Sequence, residues 1–430
     1  MSRTTRRRFA QQASATMAVL SAPALLRAQG AGVELSVAYS IPVLFKDLME
    51  AMAREFMARH PGIRIALRAP EPAYEEILQR NLRDAITHTL PDVAFHGLNR
   101  QRTLLERGIP VNLEPFMKAD AQTPELGFSP SLLSLGQVGG QQTGIGFAMS
   151  TPILYYNTQL VKEAGGNPDQ LPSSWDEVIK LAAAMHDPAK NRSGMFFDWT
   201  ITGNWSWQGL VMSHGGSMLS ADESRVAFGD APGQQALRTL RRMVDEGRMP
   251  DIRPDTMYQD FFAGRMGISM QSTAQLGRYN REIGGRFALK CARYPLSDAK
   301  ARLPAGGNVA MMFTQDPARQ RAAWEFIKFA CGPVGGTMMV KATGYMPGST
   351  IPAQRKDMLA DFYAANANHL ISIRQQDVIA GWYAFPGQNA LRITDVINDH
   401  LQTVVARRAA PEAVLPRMVA DVQALIPRKG

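Results

Sequence analysis

Apolar and polar positions alternate from Val33 to Tyr39, the period-two pattern of a β-strand. Leu44, Leu48, Met52 and Phe56 then recur every four residues, the stripe of an amphipathic helix, and Pro61-Gly62 stops it. Ile63 to Leu67 reads as a second strand, Ala73 to His88 as a second helix, and Asp92 to His96 as a third strand. Strands alternating with helices predict a doubly wound α/β sheet. In such sheets the ligand crevice lies beyond the strand C-termini, where the strand order reverses. Topology alone therefore brings Tyr39-Ser40, Tyr74 and His96-Gly97 towards a site.

A second series starts at Ile153. From Thr151 to Glu177 the chain reads as a short strand ending in Tyr155-Tyr156, a helix, a Pro-punctuated loop and another helix. Ser174 and Glu177 form the capping-box pattern at that last helix: serine caps it, and glutamate three residues on reaches back to the cap N–H. Arg225 to Phe228 reads as a strand, and Gln234 to Glu246 as a helix with Leu237, Leu240 and Val244 on one face. Phe262 to Met270 is a helix end turning into a strand, and Ala323 to Ala330 is a helix closed by Cys331-Gly332-Pro333. There is no repeat at solenoid spacing and no low-complexity linker. Two α/β lobes joined by several crossings fit this order better than two independent beads.

Composition changes the picture mainly at the N-terminus. Arg6-Arg7-Arg8 precedes a modest apolar run from Ala13 to Leu26, then Leu26-Arg27-Ala28. This is the pattern of a twin-arginine export signal, with cleavage expected after Ala28. The run is too short to span a bilayer, and no cysteine stands at the cleavage position to carry a lipid. A soluble periplasmic protein is expected. The leader holds five arginines and no acid, so its loss lowers the net charge from +9 to +4. The remaining Lys and Arg are dispersed, which gives no footprint for nucleic acid. Cys291 and Cys331 enter an oxidising compartment, where one disulfide and two buried thiols are both open readings.

Catalytic chemistry is hard to find. The seven histidines show no metal-ligand spacing, and no cofactor motif, Walker loop or nucleophile elbow is present. Asp92, Asp198 and Glu325 are single carboxylates without a readable partner for acid–base work. His214-Gly215-Gly216 reads as a helix end. Tyr74, Trp205, Trp207, Tyr345, Trp382 and Tyr383 offer aromatic faces suited to a sugar or polyol, with Ser150, Ser272 and Asn99 for its hydroxyls. Trp175 and Trp324 lie on packing faces, and one of Tyr155-Tyr156 is expected in a core.

The motifs TPILYYN at Thr151–Asn157, Phe262-Ala263-Gly264 with Gly267-Ile268-Ser269, Gly306-Gly307, Trp324 to Phe329, and Thr343 to Pro347 occur in an order that resembles family 1 extracellular solute-binding proteins. Within that family the likeness is to the glycerol-3-phosphate-binding subgroup, over nearly the whole mature chain. The resemblance implies a two-lobe periplasmic binding fold with doubly wound mixed sheets. Lobe 1 would comprise residues 29–149 and 294–345, lobe 2 residues 150–293 and 346–430, after a leader at 1–28. It carries ligand contacts onto Tyr74, Ser150, Trp205, Ser272, Gly307 and Tyr345, with Asn99, Trp207, Thr273 and Arg392 as secondary candidates.

Two expected residues are missing: an acid after the third strand, where the chain reads His96-Gly97-Leu98-Asn99, and a phosphate-directed arginine near Phe385 to Asn389, with Arg392 displaced. Loss of a charge-assisted contact weakens a phosphate site by ~1.5–3 kcal/mol. The expected function is capture of a sugar, polyol or glycerol derivative for the permease of an ABC importer, by a monomer without cofactor, metal or nucleic acid. Binding of glycerol-3-phosphate or a glycerophosphodiester is the alternative ligand class, and an exported carbohydrate-active enzyme the alternative of another kind.

Overall fold

The computed structural model describes residues 32–427, so the expected leader lies outside the described residues. Its main strands are Val33–Ala38 (β1), Ile63–Leu67 (β2), Val93–Gly97 (β3), Ile145–Ser150 (β4), Pro152–Asn157 (β5), Ser193–Phe197 (β6), Met266–Ser272 (β7), Leu289–Arg293 (β8), Gly306–Met312 (β9) and Met346–Pro347 (β10). They form a six-stranded sheet, β10-β4-β9-β3-β1-β2, and a four-stranded sheet, β8-β5-β7-β6. The β1 strand is parallel to β2 and β3, whereas β9 runs antiparallel to β3 and β4. In the second sheet β6 and β7 are parallel, with β5 antiparallel to β7 and β8. Both sheets are mixed, and each belongs to one lobe.

Helices cover the sheets because their apolar stripes need a partner surface. In helix Pro42–Arg59, Phe45, Leu48, Met52 and Phe56 are buried against the first sheet, in one core with Phe95, Phe147, Trp324 and Phe326. The second core gathers Tyr155, Tyr156, Trp175, Trp207, Phe228 and Tyr279, with the C-terminal helices Ala390–Val405 and Pro411–Gln423 packed onto it. The Ser174–Glu177 capping box is formed. Both β4 and β5 are buried at every residue, as strands covered on both faces are. A smaller cluster holding Tyr74, Met149, Trp205, Ala305 and Trp382 joins the two lobes.

Several elements depart from the sequence reading. Arg225 to Phe228 is not a strand: only the bridge Leu219–Val226 forms. The Val226 N–H donates to the Gln423 side chain at 2.8 Å, outside any ladder. Residues from 346, assigned to the second lobe by sequence, first pack with the other one. Met346–Pro347 pairs with β4, and Leu359 and Tyr363 share a core with Trp324. Tyr294 and Leu303 conversely pack in the second core. Cys291 and Cys331 are buried free thiols in different lobes; the first lies in β8 and the second ends helix Pro317–Cys331.

Buried histidines couple this fold to pH. His96 Nε2 and Asn81 Oδ1 are 2.8 Å apart in a fully enclosed site. Burial, with Arg100 nearby, lowers the His96 pKa to about 3, and burial lowers His369 to about 4. These folded values lie below the ordinary 6.5. The stability they contribute is therefore complete above about pH 6.5 and is lost as pH falls through the folded values. Tm should drop from about pH 7 to about pH 5, and His96→Gln should flatten that drop in thermal unfolding at graded pH. An unchanged slope would assign the proton uptake to other groups.

Candidate functional site

A cavity of about 160 Å³ lies between the lobes. Tyr74, Ser150, Trp205, Ser272, Gly307 and Tyr345 all line it, so six of the ten residues singled out from sequence converge. Each sits where an element ends. Tyr74 opens helix Tyr74–Ile86, Ser150 ends β4, Ser272 ends β7, and Trp205 opens helix Trp205–Ser213. Gly306-Gly307 opens β9. Gly307 has φ +104°, and a Cβ there would stand 1.8 Å from the Ala148 carbonyl oxygen. A Cβ on Gly306 would meet Ser150 Oγ at 2.6 Å and the Trp205 ring at 3.0 Å. Gly306 thus lets the Trp205 ring of one lobe lie against the backbone of the other, and Gly307 lets β9 turn tightly past β4.

Rings form most of the wall. Trp382 stands edge-on to Tyr74 at 73°, with centroids 6.3 Å apart, and lies equally far from Trp205. Tyr345 stacks on Phe45 at 5.6 Å. Asn308 Nδ2 donates to Tyr74 Oη at 3.1 Å. Burial pushes the Tyr74 hydroxyl up to about 12, and burial raises Tyr345 too, so both are neutral hydroxyls at physiological pH. Trp205 Nε1 and Gln275 Oε1 are buried without a protein partner. Among the described residues no Lys, Arg or His lines the cavity, and Asp198 is its one carboxylate.

The other four candidates lie elsewhere. Trp207 is inside the second core, edge-on to Phe228 at 5.9 Å. Thr273 accepts from the Thr151 N–H at 3.2 Å and the Ser372 hydroxyl at 2.8 Å, where the lobes join. Asn99 is buried beside Gly203, and Arg392 is exposed on helix Ala390–Val405. Reading sequence alone missed Tyr258, Gln271, Gln275 and Thr202, all of which line the cavity. Gln271 and Asp198 had a usable signal, since each stands at the C-terminal end of a second-sheet strand. Tyr258 had none, because only folding brings its helix to the cleft.

No group of three metal-binding side chains occurs among the described residues, and none of their helices is long and apolar enough to cross a membrane. Larger hollows exist, including one of about 490 Å³ between helices Ala231–Asp245 and Pro411–Gln423, but residues of one lobe alone line it. A hollow of about 420 Å³ also spans the lobes, lined by Gln101, Arg102, Trp382 and Tyr383 among others, but it holds none of the six converging candidates.

Residues 51–368 match the family described as bacterial extracellular solute-binding protein. The chain belongs to this family. Among relatives of this solute-binding protein, the sn-glycerol-3-phosphate-binding periplasmic protein UgpB of Pectobacterium atrosepticum is 22% identical over 399 residues, covering 88% of each chain. The structure resembles UgpB from Mycobacterium tuberculosis in complex with glycerophosphocholine, with a TM-score of 0.80 at 19% identity, over 92% of this chain and 98% of that one. It also resembles the cyclic alpha-maltosyl-1,6-maltose binding protein from Arthrobacter globiformis, with a TM-score of 0.76 at 22% identity, over 92% and 99%.

In this solute-binding protein the lobes also meet at the rim. Arg102, on helix Gln101–Glu106, donates to Glu223 of the other lobe through Nη1 at 2.6 Å and Nη2 at 2.8 Å. The Tyr383 hydroxyl donates to the same carboxylate at 3.0 Å. Among the described residues this is the one ion pair that spans the lobes. Thr202 adds a hydroxyl bond to Glu75 across the gap, and Arg100 pairs with that glutamate.

Arg102 and Glu223 are 26% and 28% exposed, so the pair keeps part of its strength in water but is screened by salt. Arg102→Met should weaken capture of any ligand held by closure by about 5-fold, on the ~1 kcal/mol such a pair contributes. Titration calorimetry at about 0.05 and 0.5 M salt should show the wild-type affinity falling with salt and the variant's staying flat. Equal salt dependence in both would assign the effect to other charges.

Proposed function

We propose that this protein captures a neutral sugar, polyol or glycerol derivative between its lobes and delivers it to the permease of an ABC importer. One observation carries the reading. The cleft is walled by five aromatic rings from both lobes and furnished with hydroxyls and amides, and no cation lines it. Aromatic faces pack on sugar C–H surfaces while polar groups take the hydroxyls. A ligand bridging both lobes binds the closed arrangement better than the open one, and that difference in affinity drives closure.

Export by the twin-arginine route, a monomeric state and a role without catalysis belong to the same proposal. The arginine run ahead of an apolar segment supports the route. The single lining carboxylate supports binding over hydrolysis, which needs a pair of acids. Tyr74, Ser150, Trp205, Ser272, Gly307 and Tyr345 are the proposed ligand contacts. The relatives named for sn-glycerol-3-phosphate favour a second reading with a phosphorylated ligand. Its support in the structure is Arg278, which lies 4.3 Å over the Tyr258 ring and forms no ion pair among the described residues.

A thermal-shift panel of sugars, polyols, sn-glycerol-3-phosphate and glycerophosphodiesters separates these readings. A ligand at a hundred times its Kd adds about 2.7 kcal/mol, a shift of several degrees. Neutral compounds should stabilise the protein; a response to phosphorylated compounds alone would replace this reading with the second.

The two neighbouring tryptophans should then behave differently. Trp205 packs with Met149 and Ala305 where the lobes meet, so Trp205→Ala should weaken binding by roughly 10-fold or more while lowering Tm less than Trp207→Ala does. Trp207 is enclosed within one lobe, and Trp207→Ala should cost ~3–5 kcal/mol of stability. A Trp205 variant that unfolds, or binds normally, would remove that residue from the site.

A further inference from the structure

Asp198 carries the one formal charge in the cleft lining, and none of the contacts assigned above includes it. It directly follows β6 and is 4% exposed. Its Oδ1 accepts from the Thr200 N–H at 3.2 Å and the Thr200 hydroxyl at 2.7 Å, and its Oδ2 accepts from Gln271 Nε2 at 2.6 Å. A carboxylate offers about four acceptor sites, so Oδ2 keeps one. Gln275 brings a second acceptor to the same cavity, its buried Oε1 lacking any protein partner. No cation lines the cavity, so Asp198 and Gln275 present acceptors there, and Trp205 Nε1 is the lining donor left without a protein partner.

We infer that Asp198 is a ligand-contacting, specificity-determining residue. Its remaining lone pair and the Gln275 amide oxygen accept hydroxyls of a polyhydroxy ligand, and its negative charge turns away phosphate esters. Acceptors held in place demand donors, and a sugar or polyol hydroxyl supplies one where a phosphate dianion supplies none. A second negative charge brought into a water-poor cleft beside Asp198 is repelled far more strongly than in bulk water. A cavity of about 160 Å³ suits a compound of monosaccharide size. The inference rests on the sugar-capture reading and deepens it.

The test is calorimetry on the full mature chain with glucose, sorbitol and glycerol, each beside its phosphate ester: glucose 6-phosphate, sorbitol 6-phosphate and sn-glycerol 3-phosphate. Wild type should favour a neutral member. Asp198→Asn should weaken that binding by about 10- to 100-fold, the range for a hydrogen bond to a charged group, and shift preference towards the ester. Thr200→Val, which removes a donor to Asp198 behind the cleft, should lower Tm without changing the neutral-to-ester ratio.

If Asp198→Asn lowers Tm while the ratio stays put, Asp198 is structural and the inference falls, with the sugar reading intact. Wild type binding only esters, or nothing in the panel, overturns both. Should Asp198→Asn fail to fold, Gln275→Leu takes its place: neutral binding falls several-fold if the acceptor pair is used, and unaltered binding refutes it.

Discussion

A single residue, Thr151, separates the last residue of the β4 strand in one sheet from the first residue of β5 in the other. Everything between the lobes depends on that short crossing. The Thr151 N–H donates to Thr273 Oγ1 at 3.2 Å, and the Thr273 N–H returns a bond to the Thr151 carbonyl at 3.0 Å. Gln375 Nε2 donates to Thr151 Oγ1 at 2.7 Å, and Ser372 holds Thr273 at 2.8 Å. All four side chains are buried. An enclosed, mutually satisfied polar cluster permits few alternative arrangements, so the lobes are constrained to move as bodies about this point. It also fixes Ser150 and Ser272, each the residue directly before a threonine of the joint and each lining the cavity.

Further out, the contacts between lobes are of two kinds with different consequences. Trp205, Trp382 and Tyr74 exclude water over a non-directional apolar surface, so they reward any closure that brings the rings together. Arg102 with Glu223 and Tyr383 is directional and bidentate, and selects one closed geometry. Gly306 reconciles the two, since a side chain there would press on the Trp205 ring of the other lobe. The proposed selectivity for neutral, hydroxyl-rich ligands is consistent with such a cleft, whose polar groups are mostly uncharged.

Much of the scaffold was legible in the chain. The β1 to β3 alternation, the Leu48–Met52–Phe56 stripe and the Ser174–Glu177 cap are local patterns, and local physics suffices to form them. Tyr74 was reachable because family resemblance and strand-end topology point the same way, and Ser150, Ser272 and Gly307 through the resemblance. Trp205 and Trp207 show the limit. They lie two residues apart on one helix, about 200° around its axis by helical geometry, so one faces the cleft and the other the core. Their chemistry is the same, and nothing in composition tells them apart. The same limit explains Arg225 to Phe228, a strand-like run whose amide was claimed by Gln423, nearly two hundred residues away.

The sequence by itself determined the α/β class, the element order and the kind of chemistry available, because these follow from short-range periodicity and from which residue types are present. Tertiary structure decided which side chains share a cavity. It moved Arg392 to solvent and Thr273 into the joint, separated Cys291 from Cys331, and brought Asp198, Tyr258 and Gln275 to the cleft. The physical reason is that a binding site is a set of distances between residues far apart in the chain. Those distances are set by how two sheets pack and where the chain crosses between them, which no local pattern encodes.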